Sequence, residues 1–201
     1  EYWGIPIFTM IMSLIYRPSL VEQYTGITEI PEDWDWYDVL EVAREITENS
    51  GGRVYGMGVG GARNLMTSEQ IYVFLRGAGA DIFDEEGNIV FNNPQTVEAL
   101  EMYNKLFQYN PPGAEAWSWG EIELNIAADV IAMSPYFAAV QKRLYEDFNS
   151  TDFAAADMPF FPGRTERGTL TYPNDIHVYK KTVENPERYE IVKDFIRFIM
   201  R

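Results

Sequence analysis

From Ile5 to Tyr16 the chain carries no charged side chain, and the run stops at Arg17-Pro18. Such a stretch must be buried along much of its course, yet it falls short of the roughly 20 apolar residues that a membrane-spanning helix needs. It predicts a core strand that turns into a short helix, with Pro18 in the first helical turn and Gly26 as the C-cap. The run has no basic leader, so it does not read as a signal peptide.

Strand and helix signals alternate beyond it. Asp33 is the expected N-cap of a helix carrying Val39, Leu40, Ala43 and Ile46 inward and ending at Gly51-Gly52. Val54–Val59 reads as a strand and Gly60-Gly61 as a turn, and Thr67-Ser68-Glu69-Gln70 as a capping box opening a third helix. Asp84–Asn88 reads as a hairpin turn. Asn93-Pro94 caps a helix with Val97, Leu100, Tyr103 and Phe107 facing the core. A shorter helix is expected over Trp119–Ala128, a strand over Val130–Ser134, a helix over Phe137–Phe148 and a strand over Ala154–Pro159. Two strands near Thr169–Tyr172 and Ile176–Tyr179 precede a last helix from Asn185-Pro186, with Tyr189, Val192, Phe195, Ile196 and Ile199 inward. This alternation predicts an α/β fold with a mixed sheet flanked by helices.

Charge removes several functions. With 31 acidic against 16 basic residues the net charge is −15, so nucleic acid and anionic membrane surfaces are repelled by the mean field. There is no cysteine, hence no disulfide, thiolate metal site or cysteine nucleophile. His177 is the only histidine and reads as a strand or core residue. No Gly-x-Ser-x-Gly elbow or phosphate-binding loop occurs. Gly56-Met57-Gly58-Val59-Gly60-Gly61 lacks the acidic residue that a dinucleotide site needs about 20 positions on. The acidic run Asp81–Asn88 misses the calcium-loop register, because counting back from Gly87 puts Ile82 in the first ligand position. No metal site and no cofactor are expected.

Three readings stay open on the residues alone. Glu115, Glu121 and Glu123 flank Trp117 and Trp119, as the paired carboxylates of a glycoside-active enzyme would. Helical spacing sends Glu121 and Glu123 to different faces, which suits surface acidity instead. Trp117, Trp119, Tyr136, Phe137 and Tyr172 fall at expected loops or element ends, where rings stack on sugar C–H faces or pack between elements. An interaction domain with no small ligand is the third alternative.

The order of motifs is more specific than any one of them. Tyr2-Trp3-Gly4-Ile5-Pro6 is followed by Trp34-Asp35-Trp36, Val54–Gly58, Gly77-Ala78-Gly79, Trp117–Glu121, Ile131-Ala132-Met133, Pro159–Gly163 and Asn185-Pro186-Glu187. The series resembles the extracellular solute-binding proteins of ABC importers, the family that includes maltodextrin binders. The chain departs from the family twice. Tyr16-Arg17-Pro18-Ser19 stands where Tyr-Asn-Lys-Asp is usual, and Asp129-Val130 stands where Gly-Lys precedes x-Ala-Met.

The resemblance implies a type II periplasmic-binding-protein-like lobe. Residues 1–11 would be a crossing segment from the N-terminal lobe, 12–165 most of the C-terminal lobe, and 166–201 the return crossing with one helix of the N-terminal lobe. It implies a non-enzymatic module that closes on a small solute, most naturally a sugar or oligosaccharide, and delivers it to the transmembrane subunits of an ABC permease. Expected contacts are Thr9 and Met10 on the crossing segment, Thr67 and Glu69 at a helix start, the aromatics Trp117, Trp119 and Tyr136, and Tyr172, Asn174 and Asp175 on the return crossing. Met10 stands where maltodextrin binders carry a carboxylate, which argues against maltose-like specificity. A monomer outside the cytoplasm, extracellular or periplasmic and in some cases lipid-anchored, completes the expectation. With half of the cleft elsewhere, this segment by itself should bind weakly.

Overall fold

The structure, a computed structural model, describes residues 4–200, so Tyr2 and Trp3 of the opening motif lie outside the described residues. The chain forms two compact units, Ile11–Leu170 and a smaller one made of residues up to Met10 together with Thr171 onward. No described helix is long and apolar enough to cross a membrane.

The larger unit is built on strand β3 (Ile131–Phe137), in which all seven residues are buried. β1 (Ile5–Tyr16) runs antiparallel to it, Met12 opposite Phe137 and Tyr16 opposite Met133. β2 (Tyr55–Met57) lies parallel on the other side, with Met57 opposite Met133. β4 (Ala154–Ala156) pairs antiparallel with β1, which completes a mixed sheet as the alternation requires. Only the second half of the apolar run is core. Met12, Leu14, Ile15 and Tyr16 are buried, whereas Ile5, Ile7, Phe8 and Ile11 are exposed.

Helices cover the sheet. α1 (Pro18–Thr25) ends at Gly26 in the left-handed region, φ 77°. α2 (Trp36–Asn49) is capped by Asp35, not Asp33, because the amide and carbonyl bonds of Trp36 and Trp34 to Phe160 hold the chain extended until residue 36. A Cβ on Gly56 would lie 2.2 Å from the Ala43 backbone, so glycine lets β2 rest directly on α2. α3 (Leu65–Ala78) starts two residues before Thr67, since Asn64 is the residue whose side chain accepts from the third amide. α4 (Pro94–Phe107) is capped by Asn93 as expected, but its inner face is turned by one position. Ala99, Met102, Tyr103 and Leu106 are buried while Val97 and Leu100 are exposed, because Tyr103 must reach the Gly60 carbonyl with its hydroxyl, 2.6 Å away. Trp36, Phe74, Phe161 and Tyr103 form the aromatic core, with Trp36 stacked on Phe74 at 4.1 Å.

Further boundaries move for identifiable reasons. β2 stops at Met57 because Val59 pairs with the side-chain amide of Asn110 (3.0 and 2.7 Å) instead of a strand. Phe137 belongs to β3, paired with Met12, so α6 spans Val140–Phe148. α5 spans Trp119–Ala127, close to the expected range. β4 gives way before Pro159 as the chain turns to bond Trp34 and Trp36 through Phe160.

In the smaller unit a single strand, β5 (Thr171–Ile176), replaces the two expected and pairs with β1; Pro173 is tolerated in it, as edge strands allow. Tyr179 precedes a short helix, α7 (Lys180–Val183), rather than ending a strand. His177 is exposed beside Gly4, not a core residue. α8 (Pro186–Ile199) is capped by Asn185, but its apolar stripe is not covered, and no described residue of this unit is buried.

The two departures from the family pattern meet in the larger unit. Asp129, in the glycine's place, has φ 58°, a conformation that costs a non-glycine residue about 1–2 kcal/mol. Arg17, 5% exposed, bonds Asp129 at 2.6 Å, the Ile126 carbonyl at 2.5 Å and Asp152 at 2.9 Å. The guanidinium therefore holds the α5–β3 turn in the shape a glycine would take freely. Burial opposes the charge on Asp152, but the Ser19 hydroxyl and amide and Arg17 outweigh it and keep the carboxyl below its ordinary range. A depressed folded pKa stabilises above the unfolded value of about 3.9 and is lost as pH falls through the folded one. Arg17→Met should lower stability by about 2–3 kcal/mol in chemical denaturation at pH 7, and should reduce the loss seen on acidification below about pH 4. Unchanged stability and an unchanged acid limb would contradict this role.

Candidate functional site

The C-terminal end of β3, the start of α3 and the segment Trp117–Trp119 converge on one rim of the larger unit. Their meeting is fixed by buried polar groups. Gln70, fully buried, accepts from the Gly60 amide (2.8 Å) and donates to the Pro135 carbonyl (2.8 Å), tying α3 to both the β2 loop and β3. Ser134 donates to the Gly58 carbonyl at 2.6 Å. Asn64 caps α3 through the Thr67 amide (3.0 Å), while its amide nitrogen donates to the Trp117 carbonyl (3.0 Å). Gly60 leaves the room here, since a Cβ would lie 2.3 Å from the Met66 methyl and 2.8 Å from the Thr67 hydroxyl and would make those side chains shift.

Five of the sequence-selected residues sit around this frame. Trp119 opens α5 half-buried, with its ring edge-on to Tyr136 (5.1 Å, 72°) and tilted against Phe137 (5.5 Å). Tyr136 is buried, and burial raises its phenol pKa. Its hydroxyl donates to Glu123 Oε1 at 2.8 Å and lies 3.1 Å from the Trp119 carbonyl. Trp117 is buried, 8% exposed, and acts here through its backbone carbonyl. Thr67 is half-buried at the end of the first turn of α3. Glu69, 9% exposed, leaves Oε2 with no hydrogen-bond partner in the protein, and burial raises its pKa.

The other five lie in the smaller unit, Thr9 and Met10 on β1 and Tyr172, Asn174 and Asp175 on β5, the strand that pairs with it. Met10 and Asn174 are half-buried, and Thr9, Tyr172 and Asp175 exposed.

Glu115, one carboxylate of the enzyme alternative, is exposed on a short 3-10 turn, Ala114–Ala116. Glu121 is spent on the capping box of α5, and hydrogen bonds from the Ser118 hydroxyl and amide lower its pKa. That is the opposite of what a general acid needs. Glu123 pairs with Arg143 from α6. Among the described residues no cluster of His, Asp or Glu could hold a metal ion. A cavity of about 220 Å³ lined by Tyr16, Glu29, Glu32 and Asp157 lies at the other end of the sheet from the rim.

The residues missed from sequence are the ones that position the rim. Asn64 had a legible signal, an N-cap type three residues before Thr67, while Gln70, Glu123 and Arg143 reveal their partners only in three dimensions.

The mixed α/β sheet flanked by helices matches the periplasmic-binding-protein-like fold. The chain superimposes on maltose-bound T. maritima MalE3 with a TM-score of 0.84 at 23% identity, covering 98% of this chain and 49% of that one. A ribitol-bound ABC transporter solute-binding protein of Agrobacterium radiobacter K84 gives 0.82 at 21% identity, covering 99% and 49%. The chain belongs to the family of bacterial extracellular solute-binding proteins, whose profile matches residues 2–201. A curated relative, named as the ABC transporter periplasmic-binding protein YcjN of Escherichia coli (strain K12), is 26% identical over 111 residues, 55% of this chain and 25% of its own length. The chain thus spans about half the length of these solved structures and matches about a quarter of that relative.

Replacing Gln70 by Leu would strand the Gly60 amide and the Pro135 carbonyl in the core, at about 1–3 kcal/mol for each buried orphan. A fall in thermal midpoint of several degrees is expected by calorimetry; a midpoint within one degree would show that the brace is dispensable.

Proposed function

We propose that this chain forms part of the substrate-binding component of an ABC importer, which captures a small solute outside the cytoplasm and delivers it to the membrane permease. Family membership supports the class. The observation that carries the ligand class is the rim: a half-buried indole set against Tyr136 and Phe137, with an unpartnered buried carboxylate oxygen on Glu69 in the same unit. Rings offer faces to pyranose or polyol C–H groups, and a carboxylate accepts from hydroxyls, so a neutral polyhydroxylated solute answers both.

In this reading Ile11–Leu170 supplies one wall of the cleft through the Trp119 rim, and Thr9, Met10, Tyr172, Asn174 and Asp175 of the smaller unit are further solute contacts that the family resemblance implies. The proteins it resembles are solved with maltose and with ribitol, which fits a sugar or polyol. Closure between lobes would bury the solute from both sides, and the closed form would dock on the permease. The component works as an extracellular or periplasmic monomer without catalysis, and some such proteins are lipid-anchored.

Trp119→Ala in the full-length natural protein should weaken binding of the sugar or polyol found in a calorimetric panel by roughly tenfold or more, the loss of a stacking face. Wild-type affinity in that variant, or saturable binding only of amino acids or peptides, would contradict the proposal.

A further inference from the structure

Trp119 and Glu123 are one helical turn apart on α5 and face the same target, the Tyr136 side chain. Tyr136 is 3% exposed, so its hydroxyl must find a partner inside the protein. Glu123 Oε1 accepts the phenol hydrogen bond at 2.8 Å, and Glu123 Oε2 is bound by the Arg143 guanidinium from α6, which also meets Asp147 at 3.4 Å. The side chain of Glu123 is 17% exposed, so this pair is largely withdrawn from water while Arg143 and Asp147 reach the surface. The chain of contacts runs from α6 through Arg143 and Glu123 to Tyr136, and from there to the ring of Trp119.

We infer that Glu123 is a positioning residue for the solute site: braced by Arg143, it fixes the Tyr136 phenol and with it the plane of Trp119. The inference rests on the proposed role of Trp119 and goes beyond it, because Glu123 itself need touch no solute. Its carboxylate has both oxygens engaged by the protein, in contrast to Glu69, whose Oε2 has none. The geometry also explains why the removal of Glu123 should weaken the site without dismantling it. The Tyr136 hydroxyl keeps the Trp119 carbonyl within reach at 3.1 Å, and the aromatic cluster retains its packing.

The test is a double-mutant cycle on the full-length natural protein, with maltose and ribitol as calorimetric probes and near-UV circular dichroism of the unliganded protein as a second readout. Glu123→Ala and Tyr136→Phe should each weaken binding of the probe about five- to tenfold, the size of one net hydrogen bond, and the double variant should bind no worse than either. Glu123→Gln, which retains an acceptor for the phenol, should stay within about twofold of wild type. In the absence of any probe, Glu123→Ala should change the near-UV band of the aromatic cluster and Glu123→Gln should restore it. Additive losses, or a Glu123→Ala protein with wild-type affinity while Trp119→Ala is impaired, would overturn the inference and leave the solute-binding reading intact. Failure of wild type to bind either probe counts against that reading for these ligands. In that case superimposable near-UV spectra of wild type and Glu123→Ala would overturn the positioning role by themselves.

Discussion

The larger unit depends on a strand that has no exposed side chain. Seven consecutive buried residues, Ile131–Phe137, can persist only if both edges of β3 are hydrogen-bonded and both faces covered, and the rest of the unit supplies that cover. β1 and β2 take the edges, α5 rests against β3, and the bonds of Pro135 and Ser134 continue the bracing beyond the strand pairs. The rim inherits its rigidity from this arrangement. Tyr136 and Phe137 are the last residues of the buried strand, so aromatic groups placed there are held by the core and not by a loop.

Opposite ends of β3 are secured by different chemistry. At the Phe137 end neutral amides and hydroxyls brace the backbone through Gln70, Ser134 and Asn64, and the Glu123–Arg143 pair holds the Tyr136 side chain. At the Ile131 end a buried guanidinium gathers a turn that starts from a strained aspartate. An Arg in that position holds a turn that a glycine would adopt freely, and the same guanidinium ties the turn to Asp152.

Much of this order was legible in the sequence because it follows from local rules. The cap at Asn93, the glycine end of α1, the span of α5 and the mixed sheet require only residue type and spacing. Four of the departures share a cause, a backbone group engaged by a partner far along the chain, whereas the start of α3 is set by the local cap Asn64. Phe160 delays α2, Asn110 shortens β2, Met12 keeps Phe137 in the strand, and Gly60 turns α4 by one position. The apolar stripe of α8 is present as a pattern, but none of its residues is fully buried, and Val192 and Ile196 are half-buried. For the site, the aromatics were visible as types, whereas the difference between Trp119, a half-buried ring, and Trp117, a buried one, is a matter of tertiary packing.

The account stands on the claim that the Trp119 rim is one wall of a solute site. The most direct measurement is a crystal structure of the full-length natural protein with the sugar or polyol that binds it. Solute carbons are expected in van der Waals contact, about 4 Å, with the indole of Trp119, and a solute hydroxyl within hydrogen-bond reach of Glu69. A solute bound elsewhere, with the indole of Trp119 touching only protein or solvent, would contradict it.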